Sequence, residues 1–511
     1  MTPRPCPPYL LGLDVGTTGA KTVLVDARGR VLATQTVTYP LLVPRPGWTE
    51  QDPATWWDAA CASIRAVLER SGVSAASVAA VGLTGQMHGL VALDRRGEVL
   101  RPAILWNDQR TASECAWITR QVGADRVLAL TGNPVLTGFT APKIVWMRRH
   151  EPELAARIAH ILLPKDHVRY RLSGLFVSDV ADASGTSLFD VRARRWSAEM
   201  LAALDIPSPW LPEVVESPTV TGTVTADAAR ATGLAPGTAV VAGAGDQAAQ
   251  AVGTGVVEPG IISVTIGTSG VVFAHLDTVQ VDALGRTHTF CHAVPGRWHV
   301  MGVMLSAGGS LRWLRDALGD AAWDVCGADP YDLMAAEAER IPPGSEGLLF
   351  LPYLTGERTP HADPHARGAF VGLTLRHGRG HLVRAVMEGV AMGLRDALEI
   401  IRGMGVPVNQ VRASGGGARS PLWRQILADV FDSELVTVTT TEGAAYGAAL
   451  LAGVGSGCFD TVESACRQAV GISERTSPQP AHVRRYQELY ERYGTLYPQL
   501  RPVFQSLTAI D

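Results

Sequence analysis

The stretch Leu10-Leu-Gly-Leu-Asp-Val-Gly-Thr-Thr-Gly-Ala-Lys21 combines an apolar run, one acid and a pair of threonines between glycines. The pattern predicts a strand, a tight turn and a second strand, with backbone N–H groups and hydroxyls at the tip. Gly16 and Gly19 tolerate positive φ and let a bulky anion approach the backbone. Asp14 would repel a phosphate, so its natural partner is Mg²⁺, which bridges carboxylate and phosphate through water. Taken alone, the stretch also fits an ordinary hairpin.

A second copy of this pattern lies further along the chain. Residues 261–271 read Ile-Ile-Ser-Val-Thr-Ile-Gly-Thr-Ser-Gly-Val, again a strand, a glycine-bracketed pair of hydroxyl residues and a strand. Two such turns, one in each half, predict a duplicated fold that grips one polyphosphate from both sides. The chain has no Gly-x-x-x-x-Gly-Lys-Ser/Thr motif, so a P-loop is not its route to nucleotide binding.

Length and charge restrict the class of protein. A chain of 511 residues favours two domains, which we place at residues 1–254 and 255–511, with the boundary near residues 253–260. A hydrophobic share of 46% and a charged share of 18% are ordinary for a soluble globular protein. The formal charge of -4 and a pI near 6.4 provide no basic field, so we expect no nucleic-acid partner.

Nothing in the sequence predicts export or membrane insertion. Residues 1–8 contain prolines where a signal peptide needs an apolar helix. The longest apolar candidate for a span, near Val240, is interrupted by Asp246 and glycine-rich turns. Seven cysteines without paired spacing argue against a disulfide framework or a zinc site. We therefore expect a cytoplasmic protein with no membrane partner.

Strand and helix patterns alternate and predict an α/β protein with mixed sheets flanked by helices. Asp52 and Pro53 predict the start of a helix that ends at Gly72. A buried strand over residues 78–83 runs into Thr84-Gly-Gln-Met-His-Gly89, and a strand over residues 411–414 runs into Gly415-Gly-Gly-Ala-Arg-Ser420. Polar clusters just past the carboxyl ends of strands are where open α/β sheets place ligands.

Three other segments carry predictions. Residues 207–225, with four prolines, predict a surface connection, and residues 187–191 predict a strand. Residues 483–507 predict an amphipathic helix that packs on its own chain or on another subunit, so a homodimer is possible.

Motifs spread over nearly the whole chain, in the expected order, resemble the FGGY carbohydrate kinases. They are Leu11-Gly-Leu-Asp-Val-Gly-Thr-Thr18, Gly85-Gln-Met-His-Gly89, Pro102-Ala-Ile-Leu-Trp-Asn-Asp108, Gly138-Phe-Thr-Ala-Pro-Lys143, Leu163-Pro-Lys-Asp166, Gly243-Ala-Gly-Asp246, Ile266-Gly-Thr-Ser-Gly270, Gly356-Glu-Arg-Thr-Pro-His361 and Gly415-Gly-Gly-Ala-Arg-Ser420. The two hairpin tips and the last loop also resemble the nucleotide cleft of the actin, hexokinase and heat-shock chaperone ATPase superfamily. The resemblance implies two actin/hexokinase-like (ribonuclease H-like) domains with the nucleotide between them.

The resemblance also implies roles for individual residues. Asp246 is implied as the catalytic base, and the chemistry agrees, because a carboxylate at a strand end can take the proton of a weakly nucleophilic sugar hydroxyl. Asp14 is implied as the ligand, through water, of Mg²⁺ on ATP. The implied ATP contacts are Gly16, Thr17, Thr18, Lys21, Gly267, Thr268, Ser269, Gly415, Gly416 and Ala418. The implied sugar contacts are Met87, His88, Trp106, Asn107, Asp108 and Gln247.

Structural roles stay open for several of these residues. Asp246 also fits the N-cap of the helix that follows it. A lone histidine is often structural, although the position of His88 at a strand end between glycines favours contact with hydroxyls. A core role stays open for Trp106, and for Arg419 a role that only caps the following loop.

The implied reaction transfers the γ-phosphoryl group of ATP to the terminal primary hydroxyl of D-xylulose and forms the 5-phosphate. Gln247 stands where family members that act on xylulose commonly have asparagine, and a longer amide reaches a different hydroxyl. An FGGY kinase acting on ribulose, glycerol or a deoxy-sugar is therefore an alternative. A non-enzymatic regulator that binds ATP or a sugar is a second alternative, of a different class.

Lysine is rare in this chain and occurs only at Lys21, Lys143 and Lys165. A coding bias that replaces lysine by arginine would explain the composition. We add the hypothesis that the three lysines lie where a compact ammonium works and a guanidinium does not.

Overall fold

The computed structural model describes residues 9–319, 323 and 327–508. Residues 1–8, on which the argument about a signal peptide rests, lie outside the described residues. The chain is α/β, as predicted, and its two large mixed sheets are each flanked by helices.

The N-terminal half (residues 9–254) carries the first large sheet. The strands of this half, in the large sheet and in smaller ones, are β1 (Tyr9–Val15), β2 (Gly19–Asp26), β3 (Val31–Thr38), β4 (Glu50–Gln51), β5 (Val78–Gly85), β6 (Val91–Leu93), β7 (Ala103–Ile104), β8 (His160–Leu162), β9 (Val177–Asp179), β10 (Phe189–Asp190), β11 (Arg195–Trp196), β12 (Glu213–Val215), β13 (Val220–Thr223), β14 (Ala239–Val241) and β15 (Ala244–Gly245). Its helices are α1 (Pro53–Ser71), α2 (Ala112–Val122), α3 (Ala124–Thr131), α4 (Thr140–His150), α5 (Pro152–Ala155), α6 (Pro164–Ser173), α7 (Val180–Ala183), α8 (Ala198–Ala203), α9 (Ala226–Thr232) and α10 (Asp246–Thr254).

The C-terminal half (residues 255–508) carries the second large sheet. Its strands are β16 (Gly260–Ile266), β17 (Gly270–Leu276), β18 (His288–Cys291), β19 (Trp298–Met304), β20 (Leu349–Leu351), β21 (Ala369–Val371), β22 (Val408–Ser414), β23 (Leu435–Val438) and β24 (Ile472–Thr476). Its helices are α11 (Gly308–Leu318), α12 (Pro330–Glu339), α13 (Arg379–Gly403), α14 (Pro421–Phe431), α15 (Gly443–Gly455), α16 (Val462–Ala469) and α17 (Pro480–Thr508).

The two large sheets repeat one topology. The first runs β13-β14-β5-β1-β2-β3, with β15 continuing beside β5, and the second runs β24-β23-β22-β16-β17-β19-β18. In each sheet the hairpin strands are antiparallel, and the first hairpin strand is parallel to a later strand, β5 or β22. The duplication predicted from the two glycine-bracketed turns is confirmed.

Helix α15 lies between β23 and β24 of the second sheet in sequence but packs on the first sheet. A Cβ at Gly12 would lie 1.9 Å from the carbonyl oxygen of Ala445, and a Cβ at Gly82 would lie 1.9 Å from that of Ala448. A Cβ at Gly447 would meet a carbonyl oxygen of α10 at 1.8 Å. Glycine is therefore required at these contacts, where the backbones of α10, α15 and the sheet approach each other.

Most predicted elements are present, and their boundaries follow the predicted signals. Helix α1 begins after Asp52, whose carboxylate accepts from the N–H of Ala54, and ends at Gly72 with φ of 65°. The predicted C-terminal helix is α17, which packs on its own chain. The hydroxyl of Tyr490 donates to Asp396 at 2.6 Å, and that of Tyr497 donates to Asp363 at 2.6 Å. Self-association stays a prediction.

Two local predictions are corrected. Residues 207–225 are not only a connection, because they contain β12, which pairs with β9, and β13, the edge strand beside β14. An edge strand tolerates neighbouring prolines because one side of it forms no ladder bonds. The strand predicted over residues 187–191 is reduced to the two residues of β10.

Of the described helices, none has the length and apolar character that a bilayer span requires. Cys61, Cys115, Cys291 and Cys466 are free thiols, and Cys458 is disulfide-bonded.

Candidate active site

The two carboxylates implied in catalysis lie at one edge of the first sheet. Asp14 pairs with Thr84 across the β1–β5 ladder, and Thr84 pairs with Ala244 across the β5–β15 ladder. Two strand spacings put the Cα atoms of Asp14 and Ala244 about 10 Å apart. Asp246 begins α10 two residues after Ala244. Asp14 and Asp246 therefore flank the end of β5.

Both carboxyl groups have raised pKa values. Burial raises the pKa of Asp14 to about 7, the charge of Asp246 adds to the rise, and the charge of Lys21 opposes it. Burial raises the pKa of Asp246 to about 6, against hydrogen bonds with Gln247. Within the described part of the chain, Oδ1 of Asp14 is buried and has no hydrogen-bond partner. Such an oxygen fits a hydrated cation, because buried polar atoms are otherwise satisfied.

Asp246 is not the N-cap of α10. Gly245 holds that position, with extended ψ of 153°, and Asp246 is the first helical residue. The prediction that Asp246 caps the helix is therefore wrong by one residue, because the strand-like backbone extends through Gly245. The carboxylate still lies at the positive end of the helix dipole.

Gln250 joins α10 to the second sheet. Its Nε2 donates to Oγ1 of Thr265 at 2.8 Å and to Oγ of Ser414 at 3.2 Å. Thr265 lies just before the second hairpin tip, and Ser414 lies just before the glycine loop after β22. Because residues four apart share one helix face, Asp246 lies one turn away from these contacts. The sequence analysis missed Gln250.

The first hairpin tip is fixed by buried amides and an aromatic hydroxyl. Tyr39 donates its hydroxyl proton to the carbonyl of Gly16. Nε2 of Gln51 donates to the carbonyl of Thr17 at 2.7 Å, and Nε2 of Gln86 donates to that of Gly16 at 3.3 Å. Thr18 is exposed at the tip. These three side chains therefore hold the backbone of the first hairpin tip in place.

Lys21 lies beside Asp14 on the neighbouring strand, β2. Its ammonium forms an ion pair with Glu442 at 2.5 Å, just before α15. Lys21, which was predicted to contact ATP, is therefore paired in the structure with a residue of the C-terminal half.

His88 follows β5 in a left-handed conformation with φ of 68°. Its Nδ1 lies 2.6 Å from the carbonyl of Gly185, and its ring stacks on Phe139 with centroids 4.4 Å apart. Burial lowers the pKa of His88 to about 3, although the Gly185 contact opposes the shift. The imidazole is therefore neutral. Met87 beside it is buried.

Lys143 supports the loop that contains His88. Its ammonium donates to the carbonyls of His88 at 2.8 Å and Gly138 at 2.6 Å. Burial lowers the pKa of Lys143 to about 7, and Asp108 opposes the shift. The side chain is fully buried. It positions the segment in which the sugar contacts were predicted.

The Trp-Asn-Asp segment divides into an exposed and a buried part. Trp106 is 39% exposed, which excludes the core role, and its Nε1 donates to Oγ1 of Thr17 at 2.9 Å. Oδ1 of Asn107 accepts from Thr49 at 2.7 Å. Asp108 is fully buried, with its carboxylate on Arg110 at 2.7 Å and 2.9 Å. Its oxygens support the loop and do not reach the surface.

The second hairpin tip packs against the start of α11. The N–H of Gly267 donates to the carbonyl of Ser269 at 3.0 Å. A Cβ at Gly308 would lie 2.5 Å from the carbonyl oxygen of Gly267. Nη2 of Arg312 donates to Oγ1 of Thr268 at 3.2 Å. A bound anion here would meet both the backbone and this guanidinium.

A cavity of about 530 Å³ opens beside the second tip. Thr268 and Arg312 line one side, Tyr331 of α12 another, and Gly416 and Arg419 the loop side. This volume suits a nucleoside. Gly416, predicted to contact ATP, lines this cavity, and its contact with ATP stays a prediction. No sequence signal pointed to Arg312 or Tyr331.

The loop after β22 needs glycine at its first position. Gly415 has φ of 84°, and a Cβ there would lie 2.6 Å from the carbonyl oxygen of Ile266. Ala418 is buried, and its carbonyl accepts from Arg424 at 2.8 Å. Gly416 is therefore better placed than Ala418 to contact a ligand in the cavity.

Family models match both halves of the chain. The N-terminal domain of the FGGY family of carbohydrate kinases matches residues 9–253, and the C-terminal domain of that family matches residues 262–456. The chain belongs to the FGGY family of carbohydrate kinases. It is therefore a phosphotransferase, and two of its hairpin loops carry the glycine and hydroxyl residues described above.

Relatives of this FGGY kinase align over nearly the full length. Xylulose kinase of Escherichia coli (strain K12) is 41% identical over 494 residues, 96% of this chain and 99% of that protein. Gluconokinase of Bacillus subtilis (strain 168) is 32% identical over 486 residues, 94% of each. The crystal structure of xylulose kinase from Rhodospirillum rubrum superposes with a TM-score of 0.90 at 34% identity, and covers 97% of this chain and 100% of that one.

Proposed function

We propose that this FGGY kinase transfers the γ-phosphoryl group of ATP to the terminal primary hydroxyl of D-xylulose and forms D-xylulose 5-phosphate. One observation carries the proposal. Asp246 begins helix α10, and Asp14 lies across the end of β5 from it. One turn further along α10, Gln250 bonds to Thr265 and Ser414, which precede the two proposed nucleotide loops of the C-terminal half. The similarity to xylulose kinases supports the choice of sugar.

Asp246 acts as the general base in this proposal. With a pKa of about 6, its carboxylate is ionised at neutral pH and accepts the proton of the attacking hydroxyl as the oxygen–phosphorus bond forms. A base of this kind contributes ~10²–10⁴-fold to the rate. The backbone at the start of α10 keeps the carboxylate oriented, and holding both reactants in place contributes a further ~7–11 kcal/mol.

Asp14 is the residue that would hold Mg²⁺ through water, because its unpartnered Oδ1 fits a hydrated cation. The metal would neutralise charge on the β- and γ-phosphates of ATP. Around the phosphates, we assign the backbone and hydroxyls of Gly16, Thr17, Thr18, Gly267, Thr268 and Ser269. We place adenosine in the 530 Å³ cavity beside Gly416.

The acceptor sugar lies, in this proposal, between His88, Trp106 and Asp246. Met87 and Gln247 complete the N-terminal wall. A gluconokinase also matches the chain at 32% identity, so gluconate is a second candidate acceptor that a relative specifically favours.

The test is a coupled assay of ADP release with purified protein and a panel of acceptors. The panel contains D-xylulose, D-ribulose, glycerol, gluconate and no acceptor. We expect the highest kcat/KM with D-xylulose. A higher kcat/KM with another acceptor would overturn the choice of sugar, and ATP binding without acceptor-stimulated turnover would overturn the kinase reaction.

The Asp246→Asn variant tests the base with almost unchanged shape. We expect a loss of ~10²–10⁴-fold in kcat with ATP binding retained. The matched control is Gln247→Asn, which introduces the residue common in xylulose-specific members and should keep turnover. Near wild-type kcat in Asp246→Asn would remove Asp246 from the base role.

A further inference from the structure

The motif Gly356-Glu-Arg-Thr-Pro-His361 has no role in the site described so far. Its loop is fastened to strand β19 of the second sheet. The N–H of Thr359 donates to the carbonyl of Val303 at 3.0 Å, and the N–H of Val303 donates to Oγ1 of Thr359 at 3.0 Å. Oε1 of Glu357 accepts from the N–H of Leu305 at 3.0 Å. These hydrogen bonds fix the position of the loop along β19.

This attachment brings the loop next to the predicted sugar wall of the N-terminal half. Two residues before Val303 on β19, Met301 lies opposite His288 of β18. The His288 ring lies 6.0 Å from that of Phe139, on which His88 stacks at 4.4 Å, centroid to centroid. Residues of both halves therefore meet in one cluster of rings, and Arg358 belongs to the loop that is attached to β19 beside this cluster.

The guanidinium of Arg358 has no hydrogen bond or ion pair with any residue that the structure describes, although the side chain is half-buried. Burial lowers the pKa of Arg358, but guanidinium stays charged at neutral pH. The loop also contacts the segment that leads into β18, because Oγ1 of Thr359 donates to the carbonyl of Arg286 at 2.9 Å, two residues before His288. In agreement with this position, the Arg358 charge contributes to the lowered pKa values of His88 and His288. The N–H donors of this guanidinium are therefore available to a ligand.

The hydrogen bonds around His288 define its tautomer. Nδ2 of Asn133 donates to the carbonyls of Thr131 and Thr289, each at 2.9 Å, so the amide oxygen faces His288. Nδ1 of His288 lies 2.8 Å from that oxygen and must carry the proton. Nε2 therefore has a lone pair. It is buried and, within the described residues, has no partner.

His88 has the same tautomer for the same reason. Its Nδ1 lies 2.6 Å from the carbonyl of Gly185, which can only accept. Nε2 of His88 is therefore also an acceptor. Burial lowers the pKa of both rings, so both are neutral.

We propose that Arg358, His288 and His88 form a subsite for the end of the acceptor sugar that is remote from the transferred phosphoryl group, with Arg358 donating hydrogen bonds and the two Nε2 atoms accepting them. The inference rests on the proposed function and deepens it. A hydroxyl satisfies such a subsite because it both donates and accepts. The terminal C1 hydroxyl of a ketose has a proton for an imidazole lone pair, whereas the terminal carboxylate of an aldonate has none, so the subsite favours a terminal hydroxymethyl group over a carboxylate.

The position of the Arg358 charge favours a contact with the remote end of the sugar over a contact with the phosphoryl group. The pKa of Asp14 is shifted by burial and by the charges of Asp246 and Lys21, and the pKa of Asp246 by burial and by hydrogen bonds with Gln247. The Arg358 charge acts instead on the two histidines. For D-xylulose phosphorylated at its terminal hydroxyl, the remote end is the C1 hydroxyl and the C2 carbonyl.

The first test compares Arg358→Gln with the control Arg286→Gln, a neighbouring arginine that pairs with Asp282 at 2.8 Å. We expect Arg358→Gln to raise the KM for D-xylulose tenfold or more and to leave the KM for ATP within twofold. Arg286→Gln should change neither. An unchanged KM for the acceptor, or a fall in kcat alone, would overturn the subsite.

Thermal unfolding separates binding from folding. An arginine that only stabilised the fold would lower Tm when removed, whereas removal of an unpaired half-buried charge should leave Tm unchanged or raise it. A clear loss of Tm in Arg358→Gln would therefore contradict the proposal.

A substrate analogue identifies the contacted atoms. For wild-type protein we expect 1-deoxy-D-xylulose to have a KM at least tenfold above that of D-xylulose, and for Arg358→Gln we expect this ratio to shrink towards one. An equal ratio in both proteins would overturn the assignment to the C1 end.

The proposed function and the subsite can fail separately. If the acceptor panel shows a different substrate, the choice of D-xylulose is wrong, and the Arg358→Gln comparison is made with that substrate. If no acceptor is turned over, titration of D-xylulose followed by tryptophan fluorescence decides. Equal binding by wild type and Arg358→Gln would then overturn the subsite, and weaker binding by the variant would support it.

Discussion

Asp14 and Asp246 lie on opposite sides of strand β5, and the charge of Asp246 adds to the effect of burial in raising the pKa of the Asp14 carboxyl to about 7. The two groups come from elements more than 200 residues apart in sequence. Their proximity suits the proposed metal-assisted phosphoryl transfer, in which Asp14 would hold the metal and Asp246 would take the proton.

The pKa of Asp246 predicts the pH dependence of the reaction. Only the ionised carboxylate accepts a proton, so activity should fall as pH drops below about 6. With Mg·ATP saturating, kcat/KM for the sugar should decrease tenfold per pH unit below that value and level off above it. A pH series of initial rates measures this. A flat profile between pH 5 and pH 7 would contradict the assignment.

Asp246→Asn should stabilise the fold at alkaline pH. Folding raises the pKa of Asp246 from 3.8 to about 6, so the folded state binds this proton more tightly. The resulting stability is complete below pH 4 and is lost as pH rises through 6. Well above pH 6 we expect the free energy of unfolding of the variant to exceed that of wild type by about 3 kcal/mol, because the folded and unfolded pKa values of Asp246 differ by about two. Thermal unfolding at pH 4 and pH 8 tests this, and an equal difference at both would contradict it.

Lys143 should not tolerate arginine. Its ammonium contacts two carbonyls from a fully buried position, and a guanidinium adds volume that costs ~1–3 kcal/mol by overpacking. We expect Lys143→Arg to lower the free energy of unfolding and to raise the KM for the sugar, because the His88 loop moves.

Lys21→Arg is the matched control for stability. Its ion pair with Glu442 is partly exposed and is worth ~0–1 kcal/mol, and arginine preserves it. Equal free energies of unfolding for the two variants would contradict the hypothesis that lysine is required at Lys143.

Gly416 provides a test of the nucleotide cavity. A Cβ at this position has no atom within 4 Å, and the residue lines the cavity. We therefore expect Gly416→Val to keep its Tm and to raise the KM for ATP about tenfold, with the KM for the sugar unchanged. An unchanged KM for ATP would place adenosine elsewhere.

Gly415→Val is the contrasting variant. Its φ of 84° and a carbonyl oxygen 2.6 Å from the added Cβ strain the backbone, so this variant should lose Tm as well as ATP affinity.

Local sequence patterns were sufficient for the repeated hairpins, the caps of α1, the strand ends that carry Asp14, His88 and Gly415, and the α/β class. These features depend on neighbouring residues, because glycine, proline and capping side chains act on the backbone within a few positions. The family motifs added the expected role of Asp246.

Contacts between distant segments came only from the folded chain. Helix α15 lies on the first sheet because Gly12 and Gly82 leave room for its backbone, and no pattern within α15 names that surface. Likewise, the buried carboxylate of Asp108 accepts from the N–H of Thr49, and Gln250 donates to Thr265. A side chain's chemistry is encoded locally, but its partner depends on which surfaces pack together. That packing is a property of the whole chain.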